Sequence, residues 1–179
     1  LQNESSIVGN LVQVLMLRDF GTSQQKHDFI PPMLEGNMGW SFGLTEEDHG
    51  SDATHMDTRA VPELRDGVAG YRINGNKMWT TGLPYTSHVM TFARTSGDNG
   101  KARGITCFVV PTDAAGFEIG EYMWTFNMPT DHPKVKYTDV WVPESAILGE
   151  LDNGLAVAQH FVHENRIRQA SSSLGAAQY

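Results

Sequence analysis

Two short stretches hold residue types that could do chemistry. The first is Ser41-Phe42-Gly43-Leu44-Thr45-Glu46-Glu47-Asp48-His49-Gly50-Ser51-Asp52, which starts as a strand and ends in a small polar loop. Backbone N–H groups and a hydroxyl in such a loop can bind an anion, and a glycine lets it approach closely. An ordinary strand-to-loop transition has much the same composition. The second is Asn74-Gly75-Asn76-Lys77-Met78-Trp79-Thr80-Thr81-Gly82. An aromatic face beside paired hydroxyls can support a planar heterocycle and hydrogen-bond its edge. A half-buried strand with Trp79 in the core and threonines present for β propensity explains the same residues.

Other clusters are weaker. His49, Asp52 and His55, with Asp48 and Asp57 nearby, are suitable metal ligands by type but lack a ligand spacing, so a solvated loop is the reading and no metal is expected. His160, His163 and Glu164 lie close on one segment, but their order is not the H-E-x-x-H of zinc proteases. Phe117, Tyr122, Trp124 and Phe126 form an aromatic-rich stretch, which core packing explains as well as a covering surface that reaches partner elements does. The single cysteine, Cys107, sits in the apolar run Ile105–Val110 and reads as a buried structural thiol.

The elements that must position these groups follow from periodicity. Residues Ser5–Phe20 are densely apolar and read as a mostly buried helix closed by Gly21. Thr22 with Gln25 three residues on is a capping box for a second short helix, which Pro31-Pro32 should stop. After Gly36 come strand candidates at Trp40–Thr45, Tyr71–Ile73, Lys77–Thr81, His88–Arg94, Ile105–Val110, Phe117–Glu121 and Lys134–Val142. Asp66-Gly67 and Asn74-Gly75 are dipeptides that favour tight hairpin turns. From Asn153-Gly154 onward the helical period returns and runs towards Tyr179. The expectation is therefore an α+β chain: an antiparallel β barrel or sandwich over residues 39–150, helices over 1–38 before it, and one helix over 151–179 after it.

With 179 residues the chain can build one real core. A formal net charge of −8 argues against nucleic-acid binding, and no basic run offsets it. No apolar run approaches the roughly 18–20 residues that span a bilayer. No basic region followed by an apolar one marks a secretory signal, and the lone cysteine fits the cytoplasm or an organelle matrix.

Taken together, the two stretches resemble the acyl-CoA dehydrogenase family, whose middle domain carries a T-E-P-x-x-G-S-D loop followed by a G-x-K-x-W-I-T-N strand. Here these read Thr45-Glu46-Glu47-Asp48-His49-Gly50-Ser51-Asp52 and Gly75-Asn76-Lys77-Met78-Trp79-Thr80-Thr81-Gly82. Gly21-Thr22 with Gln25-Lys26, Ala93-Arg94-Thr95, Val140-Trp141-Val142-Pro143 and Arg166–Gly175 resemble further family segments in order. The departures are Glu47 for the family proline, Asp48 and His49 for small residues, Thr80 for isoleucine and Gly82 for asparagine.

The resemblance implies FAD as cofactor and an acyl-CoA as substrate. It places Phe42, Leu44 and Thr45 against the isoalloxazine ring, with Thr45 on its pyrimidine side. Gly50 and Ser51 would approach the pyrophosphate, Ser51 also touching the pantetheine arm. Trp79 and Thr80 belong to the strand flanking the ring, and Thr81 would bond near flavin N5. His163, Glu164, Asn165 and Arg166 match a segment that contacts acyl-CoA. The family reaction, α,β-desaturation of the thioester, needs a carboxylate base at the α carbon. At the one family position within reach stands Asn165, while Glu164 lies about 100° away around a helix. No catalytic residue is therefore assigned, and the base of a dehydrogenase would lie beyond Tyr179. The resemblance further implies homo-oligomers (tetramers, with the adjoining subunit completing the FAD site) and an electron-transfer flavoprotein as acceptor. An acyl-CoA oxidase or flavin monooxygenase-like relative would share these motifs. A third reading is a non-enzymatic flavin-domain module acting through protein contacts.

Overall fold

A computed structural model describes residues 11–125 and 130–179. Helix α1 covers Leu11–Phe20 and α2 covers Ser23–Leu34; residues 5–10 of the expected first helix lie outside the described residues. The capping box forms as expected: Gln25 N–H donates to Thr22 Oγ1 at 3.1 Å, and Thr22 N–H donates to Gln25 Oε1 at 3.0 Å. Pro31-Pro32 do not stop α2, which runs on to Leu34. The prolines remove two donors, but their carbonyls still accept from Glu35 and Asn37, so the last turn holds.

Among the described residues eight strands follow: β1 Trp40–Gly43, β2 Arg59–Arg65, β3 Val68–Lys77, β4 His88–Arg94, β5 Ile105–Pro111, β6 Phe117–Tyr122, β7 Pro133–Pro143 and β8 Ile147–Leu148. They form one sheet, seven of them in the order β6-β7-β3-β2-β4-β5-β8 and β1 off this path against β4. Its pairings are mainly antiparallel, as expected. The exceptions lie on one edge of β4, where β1 pairs in parallel along His88–Thr91 and β2 touches in parallel at Arg94. Helix α3, Gly154–Gln178, closes the order. No helix among the described residues is long and apolar enough to cross a membrane.

Two apolar cores occupy opposite faces of β4 and β5, which explains why these strands are largely apolar on both sides. Met90, Phe92, Cys107 and Val109 face the helices, together with Met16, Leu17 and Val157. Val89, Ala93, Phe108 and Val110 face inward across the curled sheet, against Ile73, Val135 and Val140. Cys107 is fully buried, and burial raises its thiol pKa well above the usual range.

The two glycine dipeptides part company. Asp66-Gly67 is a two-residue hairpin turn with both φ values positive, joining β2 to β3 at the pair Arg65 and Val68. Asn74-Gly75 is not a turn: β3 runs straight through it to Lys77. The register slips there because β7 carries an extra residue, and Asp139 in the left-handed region exchanges two hydrogen bonds with Asn74. Gly75 is needed because its φ is +147° and a side chain would strike Thr58. The strand expected over Lys77–Thr81 is also corrected. Strand β3 ends at Lys77, and Trp79 turns the chain with φ +59° into the left-handed Gly82. Strands β2 and β8 were not legible as strands. Pro62 and polar residues interrupt the first, and the second is two residues long.

Candidate functional site

The end of β1 and the end of β3 meet. Met78 N–H donates to Thr45 O at 2.9 Å, so the Thr45–Ser51 loop and the Trp79–Thr81 turn leave one point of the sheet together. Beneath that point lies a buried ion pair. Lys77 Nζ donates to Glu46 Oε1 at 2.7 Å and to Leu44 O at 3.1 Å, and its side chain is fully buried. Glu46 also accepts from Asp57 N–H at 2.6 Å and Thr58 N–H at 3.0 Å. Burial pulls the Lys77 pKa down to about 8 against the attraction of Glu46. Burial works to raise Glu46, but the Lys77 charge and its hydrogen bonds outweigh it and hold the carboxyl below its ordinary value. With two of the three Lys77 hydrogens and both Glu46 oxygens engaged, the pair is held in one geometry. Sequence reasoning had Glu46 and Lys77 inside both motifs but gave them no role. Their opposite charges at matching strand ends were the available signal.

Around this anchor the expected cofactor residues take different postures. Phe42 stacks face to face on Phe161 of α3, with centroids 3.9 Å apart and planes 7° apart. Leu44 packs partly buried against the helix-side core, and Thr45 is half-buried. Trp79 stays 40% exposed despite its size, which its left-handed backbone produces by turning the indole off the sheet. Thr80 is fully buried, and its hydroxyl has no hydrogen-bond partner among the described residues. Thr81 is exposed, and its Oγ1 lies 3.0 Å from His132 Nδ1. His132 was not singled out from sequence, since an isolated histidine before a strand gives no signal.

Gly50 and Ser51 lie exposed on the loop from β1 to β2. Gly50 has no positive φ, and a methyl group there would meet no atom within 4 Å. The fold itself therefore makes no demand for glycine at this position. Three of the acids along this loop are tied to a basic partner. Lys134 bonds Glu47 at 3.0 Å, His49 lies 3.2 Å from Asp57, and His55 lies 2.7 Å from Asp52. Hydrogen bonds from the Thr54 hydroxyl, His55 and Thr54 N–H hold the Asp52 carboxyl down at about 2. The histidines thus serve as partners of single aspartates.

On α3 the expected substrate residues split between faces. His160 faces α1, 3.3 Å from Asp19 and edge-on to Phe20, and Glu164 one turn later acts electrostatically on Arg18. Phe161 faces β1, and Asn165 follows it one turn later. Asn165 donates to Phe161 O at 2.9 Å and accepts from Arg168 at 2.9 Å. His163 and Arg166 are exposed. Phe161 is what links this helix to the strand of the first motif, and its place in the apolar periodicity was its only advance signal.

An eight-stranded curled sheet backed by helices, with paired loops at one end of β1 and β3, defines a known class of β domain. Residues 41–140 match the family model described as acyl-CoA dehydrogenase, middle domain, and the chain belongs to the acyl-CoA dehydrogenase family. The mitochondrial short/branched chain specific acyl-CoA dehydrogenase of Rattus norvegicus is 34% identical over 173 residues, covering 96% of this chain and 38% of that protein. The structure of butyryl-CoA dehydrogenase from Megasphaera elsdenii superposes with a TM-score of 0.84 at 31% identity, covering 93% of this chain and 43% of that one. A chain of the ChsE4-ChsE5 complex from Mycobacterium tuberculosis superposes with a TM-score of 0.74 at 29% identity, covering 89% and 39%. The chain thus spans about two fifths of the length of these relatives.

Proposed function

We propose that this chain is the flavin-holding part of an FAD-dependent acyl-CoA dehydrogenase that desaturates an acyl-CoA between its α and β carbons. The observation that supports this best is the junction of the two motifs. The Met78–Thr45 hydrogen bond and the Lys77–Glu46 pair lock a loop carrying a glycine and a hydroxyl beside a turn carrying an exposed indole. The residues present fit the cofactor. Gly50 is a glycine the chain does not itself require, and Trp79 and Thr81 expose an aromatic face and a hydroxyl from one turn.

Bound there, FAD would supply the acceptor for the substrate β hydride. In this reading the chain's residues hold and orient. Phe42 and Leu44 give an apolar wall to the ring, Thr45 meets its pyrimidine edge, and Trp79 flanks it with Thr80 packed behind. Thr81 offers its hydroxyl near N5. Gly50 and Ser51 bind the pyrophosphate through backbone N–H and hydroxyl, since no cation stands in that loop, and Ser51 also meets the pantetheine arm. His163, Asn165 and Arg166 hold the acyl-CoA from α3, with Glu164 alongside.

We assign no base among these residues. Glu164 lies on the α1 face of α3, and the position following the Phe161 line is an amide. A carboxylate from elsewhere in the protein would remove the α proton. The whole enzyme is proposed to be a homo-oligomer, tetrameric as the resemblance implies, that passes electrons to an electron-transfer flavoprotein.

The test is FAD binding, followed by fluorescence quenching and gel filtration. It compares this chain with a version extended through the C-terminal helices of its relatives. Tight binding by the extended form, followed by bleaching of the flavin on addition of acyl-CoA, is the expected result. Absence of binding in both would reject the reading in favour of a module acting through protein contacts.

A further inference from the structure

We propose that His132 is a positioning residue for the Thr81 hydroxyl, turning its hydrogen outward as the donor to a flavin ring nitrogen; this rests on the flavin reading above. Among the described residues the Thr81 Oγ1 has two hydrogen-bond neighbours, His132 Nδ1 at 3.0 Å and its own turn's Trp79 O at 3.4 Å. A hydroxyl has one hydrogen and two lone pairs, so its partners decide which it can offer a ligand. The bond to Trp79 O is long and weak, which leaves His132 as the partner that decides. With hydrogen on Nδ1, the ring donates to Oγ1 and the threonine hydrogen is free to point away. With Nδ1 bare, the hydroxyl donates to the ring and can offer a ligand only a lone pair. Oxidised flavin N5 is an acceptor, so only the first arrangement recognises it.

The surroundings select that arrangement. The Asp131 carboxylate lies 3.7 Å from the same nitrogen, and a negative charge there favours hydrogen on Nδ1. Asp131 is itself fixed, because its other oxygen and its carbonyl both accept from Gly82 N–H at 3.0 Å. Main-chain bonds from Thr80 N–H to Pro133 O and from Met123 N–H to His132 O stitch the histidine's segment to the Trp79–Gly82 turn and to the residues after β6. The imidazole is 19% exposed and presents its edge to Trp79, with centroids 6.5 Å apart. The imidazole is mostly covered, whereas Thr81 is exposed. His132 therefore acts through Thr81 and does not touch the ligand.

The experiment has two arms on the full chain. Long-range nitrogen–proton correlation NMR reads the His132 tautomer without any ligand. The Nδ1–H form is expected, and its proton signal should move in Thr81→Val. FAD titrations then compare the native protein with His132→Leu and His132→Asn. The leucine variant should bind FAD about tenfold more weakly and shift the visible absorption of the bound flavin. The asparagine variant, which keeps an amide donor, should recover most of both. An Nε2–H tautomer overturns the proposal, as does an unchanged flavin spectrum in His132→Leu. If the native protein and its extended form bind no FAD, the flavin reading fails, and the tautomer arm alone still decides the hydroxyl's direction.

Discussion

Replacing Lys77 with methionine tests whether the buried pair anchors the site. In the native chain the Lys77 side chain is fully buried and its charge is matched by Glu46 at 2.7 Å. Met fills a similar volume but leaves a buried carboxylate with only the Asp57 and Thr58 N–H groups as partners. Breaking a buried pair from one side costs about 3–5 kcal/mol. With a urea m-value of about 2 kcal/mol/M, the unfolding midpoint at pH 7 should fall by roughly 1.5–2.5 M. The pH dependence gives the sharper sign. Native Glu46 has a pKa below its unfolded value, so its contribution is present above that value and is lost as pH falls through the folded one. Without Lys77 the carboxyl has lost its main counter-charge, and burial places its pKa above the unfolded value. The variant's deficit should then shrink on acidification, as Glu46 takes a proton. Adding Glu46→Gln should restore much of the lost stability, since the amide oxygen can still accept one backbone N–H. A loss under about 1 kcal/mol, well below the range for a broken buried pair, or a deficit equal at pH 7 and pH 4.5, would refute the reasoning.

Two glycines should respond oppositely to alanine. Gly75→Ala should lose more than about 1 kcal/mol in denaturant titration, because the backbone conformation and Thr58 both oppose a side chain. Gly50→Ala should leave stability within about 0.5 kcal/mol, as is usual for surface changes, yet weaken FAD binding in a titration of the extended form. Cys107 should resist a thiol reagent in the native chain and react on unfolding, since its thiol is buried and hard to ionise. Glu164→Gln should change acyl-CoA-dependent flavin reduction in the full-length protein by less than about tenfold, whereas loss of a general base costs about 10²–10⁴; a loss of that size would return Glu164 to the role of base.

The strands with both faces buried were the most legible, because β4 and β5 had to be largely apolar and so stood out to within a residue of their observed ends. Local rules failed where tertiary contacts decided the backbone. Asn74-Gly75 satisfies the chemistry of a hairpin turn, but its glycine is there for Thr58, a residue on another segment. Lys77–Thr81 has the composition of a strand, but the chain leaves the sheet once Lys77 has reached Glu46 and Met78 has reached Thr45. The Pro31-Pro32 pair looked like a stop because local reasoning counts lost donors and not the acceptors that remain. The motifs were legible as strings of residues, but Phe161 and His132 were not, because each matters through a contact distant in sequence.

The division of labour among charged groups bears on how an acidic chain could hold an anionic cofactor. Five acids lie between Thr45 and Asp57, with no lysine or arginine among them. Lys77 meets Glu46 from below and Lys134 meets Glu47 from β7, while His55 and His49 bind Asp52 and Asp57. These bonds turn four of the five carboxylates into loop anchors and leave Gly50 and Ser51 at the exposed part of the loop. A phosphate approaching there meets dipoles more than fixed positive charge, and dipoles favour it only if the loop is already shaped. Removing Lys77 should therefore weaken cofactor binding even though Lys77 is buried beneath the site, by freeing the loop that Glu46 holds.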